Sequence, residues 1–142
     1  MKDEDKPIFD KLTDAQAFGE TIYLEARNQG FDGMLAVGSV IKHRADLGYF
    51  GGKSVKAVCH KQGKPKTGKY KGINVCQFSC YNEFDEQYPI ALRIAKDFQG
   101  EMENNTLLKT AYTIAEHLMS GAIQPNVYAS FYKVHGCPAA WE

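Results

Sequence analysis

No stretch of this chain approaches the roughly eighteen unbroken apolar residues that a membrane-spanning helix requires, so no membrane insertion is expected. The opening Met1-Lys2-Asp3-Glu4-Asp5-Lys6 lacks the basic-then-apolar order of an export signal. The expected site of synthesis is therefore the cytoplasm, with release by another agent if the protein acts elsewhere. A surplus of one charge is missing too. The 17 basic and 17 acidic side chains cancel, which argues against the global field of a nucleic-acid binder. The four cysteines, Cys59, Cys76, Cys80 and Cys137, contain no CxxC pair, and without an export signal they read as reduced thiols. No internal repeat, low-complexity run or linker divides the chain. Its 142 residues, 44% hydrophobic, are enough for one domain (1–142) with a real core and no need of disulfides, and a monomer is expected.

What is present is mostly helical periodicity. Residues 1–12 form a charged leader. Thr13 followed by Gln16 is a capping-box pattern that opens a helix running to about Asn28. After Gly30, Asp32 can cap a second helix over Gly33–Arg44, apolar nearly all round and therefore central. Its Gly33 and Gly38 suggest close approach of a neighbouring backbone. Ser54 can cap a short helix through Cys59. Pro89 opens a helix with Ile90, Ile94 and Phe98 on one face. Asn105 or Thr106 starts another, whose stripe of Leu108, Ala111, Tyr112, Ala115, Leu118 and Met119 ends at Gly121. The fold class expected is mainly α, with at most a small β-hairpin.

Charge is unevenly spread. From Lys53 to Lys71 there are seven lysines and no acid, and residues 60–74 hold little to bury, which predicts an exposed basic loop or hairpin arm. Such a run can attract anions or can be an ordinary solvated loop. The following Ile73 to Tyr81 is rich in aromatic and amide side chains, a mix suited to lining a cleft.

Glu25 is the leading catalytic candidate. Ala15, Phe18, Ile22 and Glu25 share one helical face, so the carboxylate points toward the core, where burial raises its pKa toward the range of a general acid. The alternative is a structural acid paired with a buried cation or backbone donors. Glu20, on the opposite side at about 100° per residue, reads as an ordinary solvated glutamate.

Three separated segments resemble one family, the cell wall hydrolases typified by bacterial spore cortex-lytic enzymes and found in phage lysins. Thr21-Ile22-Tyr23-Leu24-Glu25-Ala26-Arg27 resembles its catalytic helix. Leu35-Ala36-Val37-Gly38-Ser39-Val40-Ile41-Lys42-His43-Arg44 resembles its AVAxVIxNR helix, and Gln77-Phe78-Ser79 its QFS signature. Ala129-Ser130-Phe131-Tyr132 with Pro138 and Trp141 looks like its C-terminal aromatic motif. The chain departs from the pattern at Asn28-Gln29, where Gly-Glu is usual, at His43, where Asn is usual, and in the basic arm. The first departure leaves Glu25 as the single acid of the motif.

The resemblance implies a lysozyme-like fold acting on peptidoglycan, with Glu25 as catalytic acid and no cofactor or metal. Cleavage of the β-1,4 bond between N-acetylmuramic acid and N-acetylglucosamine needs a proton for the leaving oxygen. A two-carboxylate muramidase needs a second acid roughly 5 to 9.5 Å away. Glu83, Asp85 and Glu86 look more like a solvated acidic turn, which favours the lytic transglycosylase route, in which the sugar's C6 hydroxyl attacks and one carboxyl serves as acid and base. Gln77, Phe78 and Ser79 are expected to bind substrate. Tyr128 and Tyr132 each offer a stacking face and a phenol. Asn126-Val127-Tyr128-Ala129 resembles the Asn-Tyr motif of lytic transglycosylases, whereas the C-terminal aromatic motif favours Tyr132. Phage endolysin is the simplest setting. The rivals are a zinc-stabilised module using Cys59, Cys76 and Cys80 with His60, His135 or Cys137, and a non-catalytic wall-binding protein. With Tyr70 the one aromatic in the arm, no nucleic-acid partner is expected.

Overall fold

The computed structural model describes residues 1–48 and 53–126. Among them are seven α-helices and one two-stranded antiparallel sheet, the mainly α architecture expected. The leader is not a loose charged segment. A 3-10 turn over Asp3–Asp5 runs into α1 (Lys6–Asp10), and Phe9 and Leu12 are buried in the core. The Tyr88 hydroxyl fastens this end by donating to Asp5 and accepting from the Lys2 amide. Two apolar residues among many charges were enough, because the helix buries only one narrow stripe.

Helix α2 (Asp14–Ala26) starts with the complete capping box. Thr13 Oγ1 accepts from the Gln16 amide at 3.1 Å and Gln16 Oε1 accepts from the Thr13 amide at 3.0 Å. Helix α3 (Gly30–Leu47) starts three residues before the expected position, so Asp32 lies inside its first turn and caps nothing. It ends at Gly48, whose φ of 75° is the left-handed cap that favours glycine. Helix α4 (Val55–Cys59) is capped by Ser54 as expected. Strands β1 (Gln62–Gly63) and β2 (Val75–Cys76) close the lysine-rich arm into a hairpin, with Gln62 opposite Cys76. A 3-10 turn at Ser79–Tyr81 leads to α5 (Tyr88–Lys96).

The stripe of Ile90, Ile94 and Phe98 does not belong to one helix. The chain breaks at Asp97, whose carboxylate caps α6 (Phe98–Glu103) by accepting from the Gly100 amide. Asn105 caps α7 (Thr106–Ser120), which stops at Gly121 as the periodicity predicts. Leu108, Ala111, Ala115 and Leu118 are buried, but Met119 is exposed at the edge of the stripe.

Helix α2 is the axis of the molecule. It packs against α3, α4 and α7, while α5 and the Ser79–Tyr81 turn close the remaining side. Every residue from Ala17 to Leu24 is buried in consequence. The closest backbone approach falls at Gly19, where an added Cβ would lie 2.9 Å from the Cα of Tyr112 in α7. Gly38 meets side chains instead, with Leu118 and Ile22 methyl carbons 2.7 and 3.0 Å from such a Cβ. Gly33 meets the Gln29 side chain. Methyl termini can swing aside and a helix backbone cannot. Gly19→Ala should therefore destabilise the fold by about 1–3 kcal/mol, more than Gly38→Ala, in denaturant unfolding of the two variants.

Candidate active site

Glu20, read from the sequence as solvated, is completely buried. A one-sided helix would put it in water; α2 has no such side along this stretch. Tyr81 arrives from the 3-10 turn, and its hydroxyl donates to Glu20 Oε1 at 2.9 Å. The same hydroxyl lies 2.8 Å from Thr21 Oγ1, which donates to the Ala17 carbonyl at 2.8 Å. Phe9 and His60 pack edge-on against the Tyr81 ring and complete the seal.

Three contacts link Glu20, Tyr81, Thr21 and the Ala17 carbonyl. Burial pushes the Glu20 pKa from 4.5 up to about 8, against the lowering effect of the Tyr81 hydrogen bond. Oε2 has no hydrogen-bond partner among the described residues, a vacancy that a neutral acid tolerates better than an anion. His60 is held neutral by the same surroundings, burial first and Lys56 second, with its pKa lowered to about 4.

Glu25 occupies the last turn of α2 and is half-buried, neither in the core nor free in solvent. Its charge reaches the QFS segment. Burial raises the Cys80 thiol pKa well above the usual value, and the nearest electrostatic addition comes from Glu25, followed by Glu20. Cys80 directly follows Gln77, Phe78 and Ser79. The fold brings α2 against the turn that begins at Ser79. Gln77 is half-buried and its amide donates to the Lys61 carbonyl at 2.8 Å, Phe78 is buried, and Ser79 is exposed. Arg44, from the second helix of the resemblance, lies almost wholly buried with its guanidinium 5.9 Å from the Phe78 ring centre. A buried cation stacked on the QFS aromatic had a legible signal, the final Arg of that helix motif, but no role was drawn from it.

The chain returns to α3 at Asn126. Its amide donates to Ser39 Oγ at 3.1 Å, and Ser39 donates to the Asn126 side-chain oxygen at 3.2 Å. Tyr128 and Tyr132 lie outside the described residues, as do residues 49–52, His135, Cys137 and Trp141. Cys59, Cys76 and Cys80 are buried free thiols, and no group of three or more potential metal ligands occurs among the described residues. The Cys76 thiol donates to the Tyr81 carbonyl, so it ties β2 to the turn that carries Tyr81.

The family model described as cell wall hydrolase matches residues 28–141. This chain belongs to that family. The match spans α3, the QFS segment and the C-terminal motif, and begins just after Glu25. No curated protein and no solved structure matches the chain. A cell wall hydrolase degrades peptidoglycan.

The two buried titratable groups make stability pH-dependent in opposite senses. Glu20 in the native state binds its proton more tightly than in the unfolded chain, so its contribution is full below pH 4.5 and is lost as pH rises to about 8. His60 binds its proton less tightly, so its contribution is present above pH 6.5 and is lost as pH falls to about 4. The two offset one another between 4.5 and 6.5. From pH 6.5 to 8 Glu20 acts alone, and unfolding free energy should fall by about 2 kcal/mol. Denaturant titrations across this range should show the decline in the native sequence and no decline in Glu20→Gln.

Proposed function

We propose that this cell wall hydrolase cleaves the β-1,4 bond between N-acetylmuramic acid and N-acetylglucosamine, with Glu25 as the single acid and base of a lytic transglycosylase. The observation that carries this reading is the contrast among the acids of α2. Asp14 is exposed at the helix's far N-terminal end, Glu20 is sealed under Tyr81, and Glu25 is half-exposed beside the QFS segment. A glycan strand can reach only a carboxyl with an open side. The leaving oxygen needs a proton, and this carboxyl is the group proposed to supply it. Gln77 and Ser79 supply amide and hydroxyl groups for N-acetyl recognition, and Phe78 with Arg44 forms the firm floor behind them. Tyr128 and Tyr132 are proposed as the phenols that face the sugar or the carboxyl.

Hydrolysis by a muramidase has one observation in its favour. Asp85 is a third carboxylate, after Glu25 and Glu20, whose charge raises the Cys80 thiol pKa. Its oxygen, however, accepts from the Gln87 amide at 2.8 Å, a local turn bond that occupies it structurally. The proposed setting is bacterial lysis by a phage endolysin, for which expression inside a host should leave culture turbidity unchanged until the inner membrane is permeabilised.

Mass spectrometry of digested sacculi is the deciding experiment. The proposed reaction leaves 1,6-anhydromuramyl ends; reducing muramyl ends would assign hydrolysis, and freed peptides alone would overturn a glycosidase. Glu25→Gln should lower clearing of purified peptidoglycan by about 10²–10⁴-fold while the protein stays folded. Glu20→Gln should keep most activity, and the reverse pattern would transfer the acid's role to Glu20.

A further inference from the structure

We propose that the hairpin spanning residues 61–74 is a docking surface for a phosphodiester-bearing anionic polymer of the bacterial wall, distinct from the glycan-cleaving site. The inference rests on the wall-degrading reading above for its choice of polymer. Its basis is a set of cations without anions. Lys61, Lys64, Lys66, Lys69 and Lys71 are all exposed, and no acid occurs between Asp46 and Glu83. The ion pairs among the described residues join Lys6 to Asp3, Lys42 to Asp46 and Arg93 to Glu101, and none involves the hairpin. Glu83 and Glu86, exposed near its foot, make no ion pair with it.

These lysines stand on a shaped support. Beyond the β1–β2 pairing, the Gly72 amide donates to the Pro65 carbonyl, Lys71 to Gly68 and Ile73 to Tyr70, while the Asn74 side chain donates to Gln62. Tyr70 stacks on Phe84 with ring centres 5.0 Å apart and planes 24° apart, anchoring the arm to the segment after the 3-10 turn. Holding five like charges on such a scaffold costs self-repulsion, which a polyanion relieves on binding, with release of its counterions.

The residue types select among polyanions. Every cation in the arm is lysine, a compact charge suited to successive phosphates, and arginine, the better partner for bidentate carboxylate pairing, is absent from it. Nucleic acid wants aromatic platforms for successive bases, and here the Tyr70 ring is covered by Phe84. The exposed Ile73 and Phe84 offer apolar faces to a polyol or sugar backbone instead. The arm also starts beside the QFS segment, since the Lys61 carbonyl accepts from the Gln77 backbone amide. A polymer held on it would keep the enzyme beside neighbouring glycan strands.

The test compares the full chain with K64Q/K66Q/K69Q/K71Q, using cosedimentation with walls that carry phosphodiester polymers and with the same walls chemically stripped of them. The native protein should bind intact walls at least about tenfold more tightly than stripped ones at low salt, with the difference fading as salt rises. The variant should lose that preference and still degrade stripped peptidoglycan at the native rate. Equal binding of both proteins to intact walls overturns the proposal. So does a variant that fails equally on stripped walls, which would place the arm in the glycan cleft, and so does equally tight binding of the native protein to duplex DNA. If the native protein degrades no peptidoglycan, the enzymatic reading fails separately, because the binding comparison needs no turnover.

Discussion

The structure depends on one helix having no solvent side. With α3, α4 and α7 around it, and α5 and the Tyr81 turn closing the last gap, α2 is buried at every position from Ala17 to Leu24. Such enclosure forces an account of each polar group inside it. Glu20 accepts from the Tyr81 hydroxyl, itself in contact with Thr21 Oγ1, which makes the acid a joint between the central helix and a turn sixty-one residues away. Gly19, one residue earlier, gives the room that lets α7 come close enough to complete the enclosure.

The same helix separates two glutamates by depth. Enclosure ends in its last turn, so Glu25 keeps an open side while its charge is felt at Cys80, next to the QFS segment. A sealed neutral acid lends rigidity and a pH response to the core; a half-open one can exchange a proton with something arriving from outside. On α3, Arg44 lies over the Phe78 ring and Ser39 receives the chain where it returns at Asn126.

Local chemistry was readable wherever the competing forces were local. The capping box at Thr13, the caps at Ser54 and Asn105 and the glycine stop at Gly121 each depend on a few adjacent residues, and each stands as expected. The hairpin arm follows equally from a composition with little to bury. Periodicity misled where it was extended past its range. It joined Phe98 to Ile90 and Ile94 across the Asp97 break, and it kept Met119 in a stripe whose edge is open to water. The charged leader failed for the opposite reason: two apolar side chains, Phe9 and Leu12, outweigh many charges when the charges all face outward.

Residue order alone therefore decided the local caps and glycine stops of the helices and which family the chain resembles. Assembly decided which acid is sealed and which is open, because burial is a property of what packs against a helix and not of the helix. Tyr81, Phe9 and His60 come from three separate segments, and no spacing rule along the chain says that they meet over Glu20.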